Sequence, residues 1–551
     1  MSLAAQARGS WQRGDSVFLL LAGLWLALTA GLRPLTAPDE GRYAGVAHAM
    51  LQSGDWIVPR LDGLPFFHKP PLFYWIAGGA MRVFGVHEWA ARLPSVLGAW
   101  LAAAALYAFL RRHGDARQAR WSALILCTCP FFFVGAQFAN LDMLVAGCIS
   151  ATIACAADAL LRRDAGAPWR LPLAGAFSGA ALGLLAKGLI GLVLPGAVIV
   201  LWALLARRGR TALRLAAWWP GWLLMLAIAG PWFVAMQLRY AQFFDYFVIT
   251  QHFRRFADSG FNNQHPLWFY LPVILGLCLP WTPWLLGWLR RPAADGVTPS
   301  SDDRAVRLLM GVWLGVIVVF FSLPRSKLVG YVLPALPPLA ALVAGGLARA
   351  LRASDPAAQD LGETRTRRPI RALAATGGVA AVLCVAAVLV AGHVGTPPDA
   401  RLRLPAGQAV APGDRVVMLD RYYYELPFYW RLHGPVVVAG DWRPAVAQAS
   451  DNWRKELADA GDFEPEARAR WLQPIAAQPA QVCSGGGGTG RTWVVGPSNA
   501  QLIAPWVLGM DLVTFDSEIA VWRHDARPSD GADCLARDMT RGALPAWTGA
   551  P

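Results

Sequence analysis

Charge is scarce in this sequence, and lysine is scarcer. Of 551 residues, 16% are charged and 55% are hydrophobic, and mean hydropathy is +0.37. A soluble globular chain carries roughly 25% charged residues, so the deficit excludes a water-solvated domain over most of the length. Of the 50 Lys and Arg residues only four are lysine: Lys69, Lys187, Lys327 and Lys455. A concentrated basic block is also lacking. The net charge of +14 is divided among short loops between apolar runs, which argues against a nucleic-acid partner and for a topology signal. The glycine-rich "CSGGGGTGR" (483–491) lacks the Lys-Ser/Thr ending of a phosphate-binding loop, so no nucleotide site is read there.

What the chain has is apolar length. A helix rising 1.5 Å per residue needs about 17–25 apolar residues to cross the hydrocarbon of a bilayer. Runs near 16–32, 92–110, 120–138, 141–161, 171–186, 189–206, 215–237, 267–289, 307–323, 328–348 and 372–392 meet that need. The first is long for a signal-peptide core and is read as an uncleaved helix. Alternate loops are dense in arginine: 111–120, 162–170, 207–214, 290–291 and 365–371. By the positive-inside rule these lie in the cytoplasm, with the N-terminus. The other face then receives a loop at 33–91, a loop at 238–266 with a short turn at 324–327, and the tail. The expected organisation is a polytopic α-helical membrane domain over 1–392, carrying the amphipathic loop 33–91, and a small α/β domain over 393–551. In the tail, 414–420, 434–440, 491–496 and 518–523 read as short buried strands, with helix between 443 and 474.

Cysteine follows the same division. Cys127, Cys129, Cys148, Cys155, Cys278 and Cys384 fall in apolar runs and read as small fillers. Cys483 and Cys534 are the two in the tail, and they can pair if that domain faces an oxidising compartment.

Three of the four lysines, Lys69, Lys187 and Lys327, stand at span ends or in loops opposite the arginine-rich side. Each alone is explained by a lysine reaching for headgroups. Their shared location suggests a common anionic ligand, because a compact ammonium is a good point charge for phosphate. Asp39 and Glu40 in "APDEGRYAGVAHAML" (37–51) suit a helix start, where acids meet the positive end of the dipole. The helix they open has Tyr43 and Val46 on one face and reads as interfacial. Either carboxylate can also serve as a general base. Asp142, at the outer start of a span, is a cap or a functional intramembrane carboxylate. "ITQHFRRFADSG" (249–260) supplies His252, Arg254 and Arg255, and "SLPRSKLVGYVLP" (322–334) supplies Arg325, Lys327 and Tyr331. Cations and carboxylates on one face of a membrane suit a lipid-linked phosphate donor.

In this order, "DEGRYA" (39–44), "FHKPPLFYW" (67–75), "LD" (141–142), "AKG" (186–188), "HFRRF" (252–256) and "KLVGYVLP" (327–334) resemble bacterial polyprenyl-phosphate-dependent glycosyltransferases with the protein O-mannosyltransferase-like fold, and most closely the lipid A aminoarabinose transferases. The resemblance covers roughly 15–390. It implies a GT-C-like fold with about 11–13 membrane helices. The implied reaction is an inverting transfer of 4-amino-4-deoxy-L-arabinose from undecaprenyl phosphate to lipid A, on the periplasmic side of the inner membrane. It implies Asp39 as catalytic acid and Asp142 as a second carboxylate. Lys69, Arg255 and Tyr331 would hold the donor phosphate, with Glu40, Arg42, Tyr43, Lys187, Arg325 and Lys327 as accessories. Phe66, Phe67, Phe73, Tyr74 and Trp75 would anchor the Lys69 loop at the interface. The sequence departs from that family at His68, where glutamate is usual; with His252 it raises a zinc site as an option. Transfer to a protein or another envelope glycan is the nearest alternative. A secondary transporter or lipid flippase is the alternative from another class, set back by the lack of an internal repeat.

Overall fold

The computed structural model describes residues 11–254, 263–289, 301–353, 367–394, 402, 404–485, 490–526 and 534–535. Two compact units emerge. The first comprises residues 1–33 and 68–394, the second 34–67 and 395–551. The loop expected to run as one piece over 33–91 is therefore divided. Its first half belongs with the tail, and only 68–91 belongs with the helical unit. The reason is packing: Arg60 forks onto Glu464 through two bonds of 2.8 Å, the Val436 amide donates to Asp62 Oδ1 at 2.8 Å, and the Leu35 amide donates to the Tyr429 hydroxyl at 2.7 Å.

The first unit is helical. Among the described residues six helices are long and apolar enough to cross a membrane: Glu88–His113, Leu141–Asp164, Trp219–Arg239, Asp302–Ser322, Val329–Ala350 and Arg371–Val394. The number rises to eight if two bent pairs each count as one span. The run expected as one span over 120–138 breaks into Ala116–Cys127 and Pro130–Ala136, bent by 65°. Pro130 cannot continue the helix before it and opens the next. The run over 267–289 breaks by 103° between Leu277 and Thr282, around Pro280. Runs 16–32, 171–186 and 189–206 form helices of 15, 18 and 16 residues, at or under the roughly 20 residues a full span needs. Apolar composition gave the helices but not their breaks.

Helix Leu141–Asp164 is the axis of this unit and is almost wholly buried. It lies against Glu88–His113 at a glycine pair: a Cβ on Gly147 would sit 2.3 Å from the Gly98 carbonyl oxygen. Without a hydrophobic drive between helices in lipid, small residues at the crossing allow the close backbone approach that packing needs. Helices Trp219–Arg239 and Arg371–Val394 instead leave Leu223, Leu226, Val382 and Val390 outward. Part of the arginine density is used internally. Asp15 meets Tyr107, Arg111 and Arg120, and Asp158 meets Arg112, His113 and Arg162.

The second unit holds helix Asp39–Ser53 and the hairpin β1 (Arg60–Leu61) and β2 (Leu64–Pro65). Asp62 and Gly63 turn that hairpin with φ of 51° and 73°, the left-handed pair that Asp-Gly favours in two-residue loops. The tail supplies β3 (Arg415–Leu419), β4 (Val437–Ala439), β5 (Leu472–Gln473), β6 (Arg491–Pro497), β7 (Asp511–Phe515) and β8 (Ile519–Asp525), in the order β5-β4-β3-β6-β8-β7. The first four are parallel, and β8 and β7 join antiparallel. The four strands read from sequence are β3, β4, β6 and β8, whose residues are mostly buried. Edge strand β7 is exposed and bulged, and β5 has two residues, so neither carries a pattern. Cys483 and Cys534 form a disulfide inside the core of Val417, Val494 and Trp522. The segment read as helical between 443 and 474 contains three short helices, Pro444–Ala447, Trp453–Gly461 and Pro465–Trp471.

Candidate functional site

In the helical unit three of the sequence motifs converge. Asp142 occupies the first turn of helix Leu141–Asp164, where the Asn140 side chain caps by accepting from the Asp142 amide at 2.8 Å. Lys187 is the last residue of helix Arg170–Lys187, an end that favours a cation. Lys187 Nζ contacts Asp142 Oδ1; Asp142 is buried and Lys187 is largely covered. The same Nζ lies 4.4 Å from the Tyr331 ring centroid, within cation–π reach. Tyr331 sits in the short 3-10 helix Val329–Ala335 with its ring 5.3 Å from that of Phe321. Gly330, just before it, is required by a close approach: a Cβ there would stand 2.7 Å from Asp142 Oδ2. Asp142 is thus a buried, paired carboxylate and not a cap exposed to headgroups. Lys187 is not a spare cation, because its charge is matched by Asp142.

One further lysine expectation changes. Lys327 is 2% exposed, and its Nζ donates to the carbonyls of His265, at 2.8 Å, and Pro324. It staples the turn at 324–327 to segment 263–266, where Lys327 N also donates to Asn263 O at 2.9 Å. Arg325, two residues earlier, is exposed. Lys69 is half-buried in the turn that precedes helix Leu72–Phe84, which Pro71 opens. Beside it, the His68 ring lies 6.0 Å from Tyr246 in the π-helix Asp245–Arg254. Such i→i+5 segments are rare and frequent at functional sites. This one leads directly to Arg255, which lies outside the described residues, as does the His252 side chain. The aromatics expected to anchor the Lys69 loop are mostly interior: Phe66, Phe67, Phe73 and Tyr74 are buried. Among the described residues no group of three His, Cys, Asp or Glu side chains could hold a metal. His68 alone does not fit a zinc site, which takes three or four protein ligands.

In the second unit Asp39 opens helix Asp39–Ser53 and is more than a third exposed. Glu40 is buried and bends back, its Oε2 accepting from the Thr36 amide at 3.0 Å and hydroxyl at 2.9 Å. It seals the helix start, the structural role open to it. Arg42 lies 3.6 Å from Asp39 Oδ1 and 3.2 Å from Glu456 Oε1. Its guanidinium also faces the rings of Tyr424 at 5.2 Å and Tyr43 at 5.9 Å. Burial works against the Arg42 charge, but Glu456, Tyr424, Tyr43 and Asp39 together outweigh it, so the guanidinium is held more firmly protonated than usual. Tyr424 donates its hydroxyl to Glu456 Oε2. Burial, then the Glu456 charge, push that phenol well above its ordinary range. Sequence reading missed Glu456 and Tyr424. "NWRKELADA" reads as a plain amphipathic helix capped by Asn452, and no local signal marks Glu456.

The family model described as dolichyl-phosphate-mannose-protein mannosyltransferase matches residues 68–234. An undecaprenyl phosphate-alpha-4-amino-4-deoxy-L-arabinose arabinosyl transferase of Pseudomonas paraeruginosa is 33% identical over 344 residues, covering 62% of this chain and 60% of the relative. The chain spans about three fifths of the length of the curated relatives it matches. The crystal structure of ArnT from Cupriavidus metallidurans bound to undecaprenyl phosphate superposes with a TM-score of 0.74 over 93% of this chain and 99% of that one, at 24% identity. The apo form gives 0.72 with the same coverage at 25%. The fold is that of ArnT. The ArnT likeness extends well beyond the residues of the family model. With its apolar helices, the chain is a multi-pass membrane protein.

Proposed function

We propose that the protein is an inverting, polyprenyl-phosphate-dependent glycosyltransferase that moves 4-amino-4-deoxy-L-arabinose from undecaprenyl phosphate to lipid A at the periplasmic face of the bacterial inner membrane. The observation that carries this reading is the meeting of Asp142, Lys187 and Tyr331, from three separated motifs, in a chain with the ArnT fold. The arginine-rich loops and the N-terminus lie in the cytoplasm, and the second unit is periplasmic. The Cys483–Cys534 disulfide supports that side, since such bonds persist in oxidising compartments.

In this reading Lys69, Arg255 and Tyr331 hold the donor phosphate, and Arg325 adds charge nearby in sequence. The acceptor oxygen bonds the anomeric carbon from the face opposite the phosphate. The anomeric C–O bond breaks, and its electron pair leaves with undecaprenyl phosphate. Cations already in place stabilise the charge that develops there. Asp39 takes the proton that a protonated acceptor oxygen sheds. The donor arrives preassembled on a lipid, because the periplasm supplies no activated nucleotide sugar.

The test is expression in a host lacking the corresponding transferase, with lipid A read by mass spectrometry. An added aminopentose is expected. Unchanged lipid A with a modified protein or glycan moves the acceptor to another class, and no modification at all refutes transfer. Asp39→Asn is expected to cut turnover by about 10²–10⁴-fold while donor binding persists, and Lys69→Ala to weaken donor binding. Full activity in both variants would remove these two residues from the site.

A further inference from the structure

We propose that Glu456 and Tyr424, in the tail, are positioning residues for Asp39 and act through Arg42. The inference rests on the reading of Asp39 as the catalytic carboxylate. Asp39 and Arg42 are one helical turn apart, 3.6 Å from oxygen to nitrogen. An exposed pair at that spacing on a helix is weak, because a long arginine side chain samples many rotamers and water screens the charge. Here Arg42 is restrained. Its guanidinium faces the rings of Tyr424 and Tyr43, and its Nη1 lies 3.2 Å from Glu456.

Glu456 is itself fixed. It is 6% exposed and accepts the Tyr424 hydroxyl on its second oxygen, so one oxygen binds the arginine and the other the phenol. Helix Trp453–Gly461, which carries Glu456, is capped by Asn452, whose Oδ1 accepts from the Arg454 amide at 2.9 Å. The result is a chain of four groups, Tyr424, Glu456, Arg42 and Asp39, running from the interior of the unit to its surface. Asp39 is the exposed end. One arginine is shared by two carboxylates, so the three charged groups sum to one negative charge. A carboxylate in this position meets a donor that cannot swing away. Pre-organisation of this kind is a requirement for a group that must meet a reacting atom in one geometry.

The bland account is that Arg42–Glu456 ties helix Asp39–Ser53 to the rest of its unit and does no more. The two accounts differ in what the variants do to turnover as against folding and substrate affinity. Full-length protein, purified in detergent, is assayed with undecaprenyl phosphate-4-amino-4-deoxy-L-arabinose and lipid A. Glu456→Gln keeps the size of the side chain and an acceptor for Tyr424, but removes the charge that holds Arg42. It is expected to lower kcat by about tenfold to a hundredfold, a displacement-sized loss. KM for both substrates should stay within about twofold, the signature of a group acting on the transition state. Glu456→Asp is expected to restore part of the rate, and Tyr424→Phe, which keeps the ring beside Arg42, to lose less than Glu456→Gln. Melting temperature and the folded fraction are measured on every sample.

If Glu456→Gln turns over like the parent, or loses rate only in proportion to folded protein, the positioning role is overturned. Asp39→Asn separates the two levels. Loss of turnover in Asp39→Asn with normal Glu456→Gln sinks the relay alone, whereas normal turnover in Asp39→Asn sinks both the relay and the reading beneath it.

Discussion

Removing Lys187 should harm the protein more than removing Lys187 and Asp142 together. The pair joins the ends of two helices, with side chains 12% and 8% exposed. Lys187→Met keeps the aliphatic length and deletes the charge, leaving Asp142 buried without its cation. Stranding one partner of a buried pair costs about 3–5 kcal/mol. Loss of the Tyr331 contact at 4.4 Å adds about 1–2 kcal/mol in a desolvated setting. Asp142→Asn alone should cost less, because the long lysine stem can rotate its charge toward water, which a short carboxylate cannot do. In the double variant no charge is stranded, and the residual penalty is that of an imperfectly bonded amide, about 1–3 kcal/mol, plus the same about 1–2 kcal/mol for the lost Tyr331 contact. The double variant should therefore melt above Lys187→Met, with a double-mutant-cycle coupling energy above about 2 kcal/mol. Equilibrium unfolding in mixed micelles, followed by tryptophan fluorescence, reads all four proteins under one condition. Additive losses, or a double variant less stable than Lys187→Met, would refute the buried-pair reasoning.

Two more outcomes follow from geometry. Gly330→Ala brings a methyl within 2.7 Å of Asp142 Oδ2; with overpacking costing about 1–3 kcal/mol, the carboxylate should shift and turnover fall, and a parental kcat would show the site tolerates the methyl. Asp62 is buried in the hairpin turn, and burial pushes its carboxyl up to about 8 against the bond from Val436. The folded state thus holds its proton more tightly than the unfolded chain, where the value is about 3.9. The stability it contributes is complete below that unfolded value and is lost as pH rises through the folded one, at up to about 1.4 kcal/mol per pH unit. Asp62→Asn should flatten the decline in melting temperature between about pH 4 and 8, and an unchanged slope would assign it elsewhere.

The helical class, the sheet and part of the candidate site were legible in the sequence, for traceable reasons. Buried strands such as "RTWVVG" announce themselves because every residue after Arg491 is apolar or small, and Asp142 and Lys187 stand out because charge is rare near lipid. Phe66 and Phe67 misled because an aromatic beside a span looks the same whether it meets headgroups or a protein core; here Phe67 packs on Phe463, 4.6 Å between rings. Lys327 misled because a lysine at a span end reads as an available charge, while its Nζ is occupied by two carbonyls. Glu456 was illegible because its partner Arg42 is reached only through the tertiary fold. The breaks at Pro130 and near Pro280 were written in the chain, but composition windows average across them.

The chain passes between the two units three times, after residues 33, 67 and 394. The tail is consequently no cassette. A graft that exchanges only residues after 394 between relatives would orphan Arg60, Asp62 and Arg42 from Glu464, Val436 and Glu456. Any chimera, or any drift in the tail during evolution, has to carry the excursion 34–67 along as its matched half.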